Sequence, residues 1–413
     1  MEVSGGEPHA PAEYMRRPLA ARLVGLVGVS LFCEIAYALV TTFALPLYLK
    51  NTLHWEARDI GPVLSAFLLA ETLAKPAWAG LSDKIGRKPL LLIGIFISAV
   101  AVLLMTGAKS HAMFLALSAL NGVGGAALWP NVFASVADVT TEDERVGAMS
   151  VFNMMYMIGI GGSAPLGSAI YNIFKGYPQA IFPATALLFC IGFAMAAFLT
   201  PWLRATGRHD HDGLPDQRHR LVWPVLGFFM AMSFFQTLGL QLMNGPLVLY
   251  VNKDLGLQEG SIGLPFLALA AVVAAVAIPV GSWGGRWGRV KSVKLGLALA
   301  TVGMLLLPLH ATIGWWLAVA VPMIIGFLLS IPAWLSILTD LAPMAWRGRI
   351  YGYVATAQGF GAILGPTIGL YLFGEHSHGA PFVVSGIILG LTLIAAFIGL
   401  KENMRAVVDK PVA

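Results

Sequence analysis

Gly80-Leu81-Ser82-Asp83-Lys84-Ile85-Gly86-Arg87-Lys88 is a polar junction between two apolar stretches, about 58–82 and about 89–108. Each stretch is long enough, as a helix, to cross a hydrocarbon core of about 30 Å. A weaker copy of the junction, Arg286-Trp287-Gly288-Arg289, stands 202 residues further on, with Gly285 in the place of the acid. The same register aligns Tyr48 with Tyr250, Gly61 with Gly263, Gly94 with Gly296 and Gly124 with Gly326. Pro130 falls on Pro332, Asp138 on Asp340 and Arg145 on Arg347. So many glycines, prolines and charges at one offset identify an internal repeat.

Working outward, apolar runs recur along the whole chain. Twelve are predicted, at about 19–49, 58–82, 89–108, 112–137, 146–172, 180–200, 221–251, 259–284, 291–309, 313–339, 348–373 and 380–400. Runs of this length read as helices, because a membrane barrel would show short alternating segments. The longest polar interruption, Arg204–Arg220, separates the sixth run from the seventh. The expected organisation is a tail (1–18), a six-helix bundle (19–200), a linker (201–220), a second bundle (221–400) and a tail (401–413). This is an all-α membrane protein of twelve transmembrane helices in two six-helix parallel repeats.

Composition agrees. Of 413 residues, 57% are hydrophobic and 11% charged, against about 25% charged in a soluble protein. An ordinary soluble enzyme is excluded, and the net charge of +5 has a topological explanation. Met1–Pro18 is too polar for a signal peptide, so the chain is expected to start in the cytoplasm. Both tails, the linker and every second loop then hold twenty of the 26 Lys and Arg, as the positive-inside rule requires. The expected location is the inner (plasma) membrane, multi-pass, with both termini cytoplasmic. A nucleic-acid partner is unnecessary. Cys33 and Cys190 lie in apolar runs and suggest neither a disulfide nor a thiolate metal site.

The Gly80–Lys88 stretch resembles the loop signature of the major facilitator superfamily, G-x-L-a-D-r-x-G-R-k, between its second and third spans. The resemblance covers all twelve spans. It implies a transporter with a substrate site between the two halves, opened to each side in turn. It also implies that Asp83 meets the start of span eleven, near Arg347. A charge relay would run through Arg87 to Asp138 at the end of span four. On this reading Gly80, Asp83, Gly86, Arg87, Lys88, Asp138, Arg145 and Arg347 form a gating set, the glycines permitting a tight turn and close helix approach.

Two places depart from the family's proton-coupled exporters. Span five carries Ser163-Ala164-Pro165-Leu166-Gly167 in place of G-x-x-x-G-P-x-x-G. The intact form stands in span eleven, Gly361 to Gly369, where Gly365 and Pro366 read as a kinked packing helix that could take part in gating. In span four, Ser118 stands where relatives often place an Arg linked to proton transfer.

Charges inside the bilayer default to a functional hypothesis. Glu34, Glu71 and Lys75 stand inside spans one and two; at the repeat offset they map to Gln236, Val273 and Ala277. The scaffold is duplicated and the buried charges are not. Ser30, Glu34, Tyr37 and Thr41 recur at helical spacing and are expected to share a cavity face. Span seven offers a matching stripe of Ser233, Thr237, Gln241 and Asn244, with Gln236 nearby. Glu34 could exchange a proton or bind a cationic substrate, or it could be a structural carboxyl. Glu71 and Lys75, spaced i, i+4, can pair; a free Lys75 would favour anions. Asn121, Asn131, Asn153 and Gln358 could line the cavity or bridge helices. Trp129, Trp334, Phe235, Met154 and Met155 read as packing or as an adaptable wall.

Arg208–Asp212 with His219 could bind a metal but reads as solvated linker, and His376–His378 reads as an outer loop. No phosphate-binding Gly-Lys-Ser/Thr loop occurs. No cofactor and no enzyme chemistry are expected. The expected partners are a small-molecule substrate, protons and the lipid bilayer, for a chain acting as a monomer. The favoured function is proton-coupled export of small amphipathic organic compounds. The alternatives are an uptake or exchange carrier for an organic anion, with Lys75 as counter-charge, and a non-transporting membrane sensor.

Overall fold

A computed structural model describes residues 16–175, 177–200, 219–341 and 347–400. Most of both tails and of the linker, including Arg208–Asp212, lies outside the described residues. Among the described residues, twelve long helical segments follow one another. They are α1 (Leu19–Thr52), α2 (Ala57–Ile85), α3 (Arg87–Met105), α4 (His111–Gly125, resumed at Leu128–Val139), α5 (Glu142–Ile173) and α6 (Ile181–Leu199). Then come α7 (His219–Gln241, resumed at Pro246–Lys253), α8 (Gly263–Trp287), α9 (Arg289–Leu306), α10 (Ile313–Leu341), α11 (Arg347–Glu375) and α12 (Ala380–Gly399). Eight of the candidate stretches are long and apolar enough by themselves to cross a membrane.

Local chemistry sets the ends and breaks. α5 starts at Glu142, earlier than the apolar run at about 146, because Thr141 and Glu144 form a reciprocal capping box. Gly86 and Gly288 precede α3 and α9 with φ of 90° and 98°, a region costly for residues with a Cβ. The tight turn expected at Gly86 is present, and its repeat partner makes the same one. Gly80 differs: it lies inside α2, and among the described residues a Cβ there would meet nothing within 4 Å. It does not supply the turn, which falls at Gly86.

The break in α4 follows from Pro130, which has no N–H for the Ala126 carbonyl and crowds it. Ala127 N–H turns to the Gly124 carbonyl (3.2 Å), so the Val123 carbonyl is freed and accepts the Trp78 indole N–H at 2.8 Å. Trp78, Leu90, Ala126 and Ala127 bury this bend. α7 breaks at Gly245 (φ 96°), followed by Pro246.

The chain packs as two units. One comprises 1–55, 62–208 and 258–266; the other comprises 56–61, 209–257 and 267–413. In the first, α1 packs on α5 and α6, and α3 on α4 and α6. In the second, α7 packs on α11 and α12, and α9 on α10 and α12. The duplication read in the sequence is thus a duplication of packing. Short segments follow it too. In the first unit a Cβ on Gly263 would fall 2.6 Å from the Pro165 Cα; in the second, one on Gly61 would fall 2.7 Å from the Thr367 Cα. Both positions and both neighbours are related by the repeat offset.

Candidate functional site

Glu34 is buried on α1, and its carboxylate accepts a hydrogen bond from the Trp129 indole Nε1–H at 2.9 Å. Trp129 stands in the first turn after the α4 break, so the bend at Ala126–Ala127 decides where its ring points. Tyr156 of α5 meets the indole edge-on (ring centroids 5.5 Å apart), and Phe133 lies 5.1 Å away. α5 approaches the acid through Gly159, where a Cβ would lie 2.5 Å from the Glu34 Cγ. Gly159 is the repeat partner of Gly361, where α11 crowds the Phe234 carbonyl of α7 in the same way.

The rest of the expected α1 stripe is bonded within the bundle. Ser30 and Thr41 hydroxyls donate to the carbonyls of Leu26 and Tyr37 one turn back, at 2.9 Å each. Tyr37 is buried, shares a hydrogen bond of 2.7 Å with Ser98 of α3, and packs edge-on against Phe189 (4.7 Å). Its place is in the bundle interior rather than on an open wall. Asn131 bridges helices: it accepts from Ser82 at 2.7 Å and donates to the Ala127 carbonyl at 2.7 Å.

On α2, Lys75 Nζ and Glu71 Oε1 form an ion pair at 2.8 Å. Lys75 is therefore not the unpaired counter-charge that the anion-carrier alternative needs. In the second unit, Gln236, Gln241 and Gln358 are half-buried, and Asn244 lies in the α7 break with its Oδ1 buried and no hydrogen-bond partner among the described residues. Gly361, Gly365 and Gly369 seat α11 on the α7 backbone; a Cβ at Gly365 would run into Gln241. Pro366 lies inside α11. The stretch works as a packing seam.

Of the gating set, half-buried Arg87 and buried Asp138 come together as an ion pair, Nε to Oδ2 at 3.0 Å. Lys88 Nζ donates to the carbonyls of Ala197 (2.7 Å) and Thr200 (2.9 Å), capping the end of α6. The side chains of Asp83, Arg145, Asn153 and Arg347 lie outside the described residues. One residue that sequence reasoning passed over is Arg22, counted there only as a topological cation. It is buried, donates to the Val139 carbonyl (2.6 Å) and pairs with Glu144 (2.5 Å), tying α1 to the α4–α5 turn. Trp129 was also passed over as a ligand of Glu34. The proline after it marked a bend, but nothing in the sequence aims the indole at an acid 95 residues away.

In the second unit an indole also bonds the first helix of its bundle, from positions that the repeat offset does not relate to Trp129 and Glu34. Trp334 of α10 donates to the Ser233 hydroxyl of α7 at 3.2 Å and packs against Phe229 at 4.7 Å.

Comparison with known proteins agrees with this architecture. The family model described as Major Facilitator Superfamily matches residues 27–240 and 225–411. Multidrug resistance protein 1 of Bacillus subtilis is 24% identical over 356 residues, covering 84% of this chain and 90% of the relative. Multidrug resistance protein MdtG of Citrobacter koseri is 27% identical over 405 residues, covering 91% and 94%. Among solved structures, a bacterial homologue of the human lysosomal transporter Spinster, inward-facing and unoccupied, superposes with a TM-score of 0.77 at 14% identity, covering 98% of this chain and all of that one. At that identity the likeness is one of fold.

Proposed function

The chain belongs to the Major Facilitator Superfamily, and from that premise we propose that this multi-pass membrane transporter exports small amphipathic organic compounds in exchange for protons. Glu34 is the coupling carboxylate. The observation that carries the reading is the Glu34–Trp129 arrangement: a buried acid, held by one neutral donor (2.9 Å) and walled by Tyr156 and Phe133. A buried carboxyl of this kind can take up and release a proton as its surroundings change. Aromatic faces beside a carboxylate also suit a lipophilic cation. The relatives named for multidrug resistance support the same reading. The distribution of the loop cations supports cytoplasmic termini in an inner-membrane protein. Gln236, Gln241, Asn244 and Gln358 are proposed as neutral substrate contacts, and Arg87 with Asp138 as part of a gate.

Flux in proteoliposomes tests it. Tetraphenylphosphonium should move against an imposed proton gradient in the wild type. Glu34→Gln, inserted at wild-type level, should lose gradient-driven movement. Unchanged gradient-driven flux in that variant refutes the coupling role.

A further inference from the structure

We propose that Trp129 is a positioning residue for Glu34: its indole N–H fixes where the carboxylate points and holds it there when the acid is ionised. The inference rests on the reading of Glu34 given above, and deepens it by naming what sets the acid's behaviour.

Three observations carry it. The donor is rigid: the indole is braced by Tyr156 and Phe133, and its helix is bent at a buried turn pinned by the 2.8 Å bond from Trp78 to the Val123 carbonyl. The acceptor's stem is also fixed, because Gly159 brings α5 against the Glu34 Cβ and Cγ. Third, the repeat isolates the feature. At the repeat offset Glu34 maps to Gln236 and Trp129 to Ile331, so the second unit carries neither the acid nor the indole at these positions. The acid and its donor occur together in the first unit, and neither is duplicated at the repeat positions.

The titratable group whose charge acts on Glu34 is Glu71 of α2, itself paired with Lys75; Cys33 and Tyr37 of its own helix and Tyr156 of α5 lie within the field of Glu34. From α4 comes the Trp129 N–H, a neutral donor. Such a donor stabilises a carboxylate more than a carboxylic acid. It does so without adding a cation that would compete with a cationic substrate.

The test reads the carboxyl directly and needs no substrate. Purified full-length protein in detergent is treated with dicyclohexylcarbodiimide, which modifies protonated buried carboxyls. Labelling at Glu34 is followed by peptide mass spectrometry from pH 5 to 9, with Glu34→Gln as the blank. In Trp129→Phe the pH of half-labelling should rise by about one unit, the size expected for losing one hydrogen bond to a charged group. Phenylalanine also changes shape. The second variant therefore replaces Trp129 with β-(3-benzothienyl)alanine, which keeps the bicyclic outline and lacks only the N–H; the same rise is expected. Midpoints unmoved from wild type in both overturn the proposal. The two readings fail separately: a shifted midpoint in the Trp129 variants, with undiminished gradient-driven flux in Glu34→Gln, keeps the positioning role and removes the coupling role.

Discussion

Gly94 of α3 and Gly124 of α4 leave each other no room for a methyl group: a Cβ on Gly94 would stand 2.7 Å from the Gly124 carbonyl oxygen, and one on Gly124 would stand 2.5 Å from the Gly94 carbonyl oxygen. Their repeat partners behave alike, since a Cβ on Gly326 would stand 2.6 Å from the Gly296 carbonyl oxygen. In each case a backbone carbonyl is among the obstacles, and it cannot swing aside. Gly94→Ala should therefore force α3 and α4 apart, at about 1–3 kcal/mol by analogy with overpacked cores. A drop of several degrees in the unfolding temperature in detergent is expected, and Gly80→Ala, which meets nothing within 4 Å among the described residues, should not lower it. Equal behaviour of the two variants would contradict the crossing geometry.

The Arg87–Asp138 pair predicts a second outcome. Asp138→Asn leaves the guanidinium buried without its counter-charge, which costs about 3–5 kcal/mol in comparable sites. Stability should fall, and flux with it. Arg87→Gln combined with Asp138→Asn should be less damaging than the two single effects added. An additive double-mutant cycle would show that the pair is not energetically coupled.

Lys88 is predicted to act on stability rather than on gating. Its ammonium holds two carbonyls at the end of α6, and Lys88→Met should cost about 1.5–3 kcal/mol by exposing those acceptors to an apolar neighbour. The fraction of variant that remains folded should transport at the wild-type rate per molecule. A loss of rate per folded molecule would restore Lys88 to the gate.

The Glu71–Lys75 pair allows a charge-swap test. If pairing is all that matters, either Glu71→Lys or Lys75→Glu alone should impair insertion and flux, and the two together should recover most of both. Failure of the double variant to recover flux, at normal expression, would mean that Glu71 or Lys75 acts individually.

The number and order of the helices, the duplication at 202 residues and the turn at Gly86 were legible in the sequence. Each is a local or periodic property: span length follows from hydrocarbon thickness, and a repeated glycine marks a repeated backbone need. The glycine pairs at the α3–α4 and α9–α10 crossings were also foreshadowed, because both members recur at the same offset. Partnership was not legible. Tyr37 and Glu34 stand one turn apart and read alike, yet one hydroxyl is bonded to Ser98 in the bundle interior while the carboxylate meets an indole from α4. Helical spacing tells which residues share a face; it does not tell which neighbouring helix covers each point on it. Arg22 read as one more cytoplasmic cation, and only packing carried it beneath the α4–α5 turn. By itself the sequence determined a duplicated membrane bundle and a short set of buried charges. Tertiary structure decided which charges are paired, which is held by a neutral donor and which cap a helix. The physical reason is that hydrogen bonds and ion pairs act over about 3 Å, a distance that only the packing of helices far apart in sequence can set.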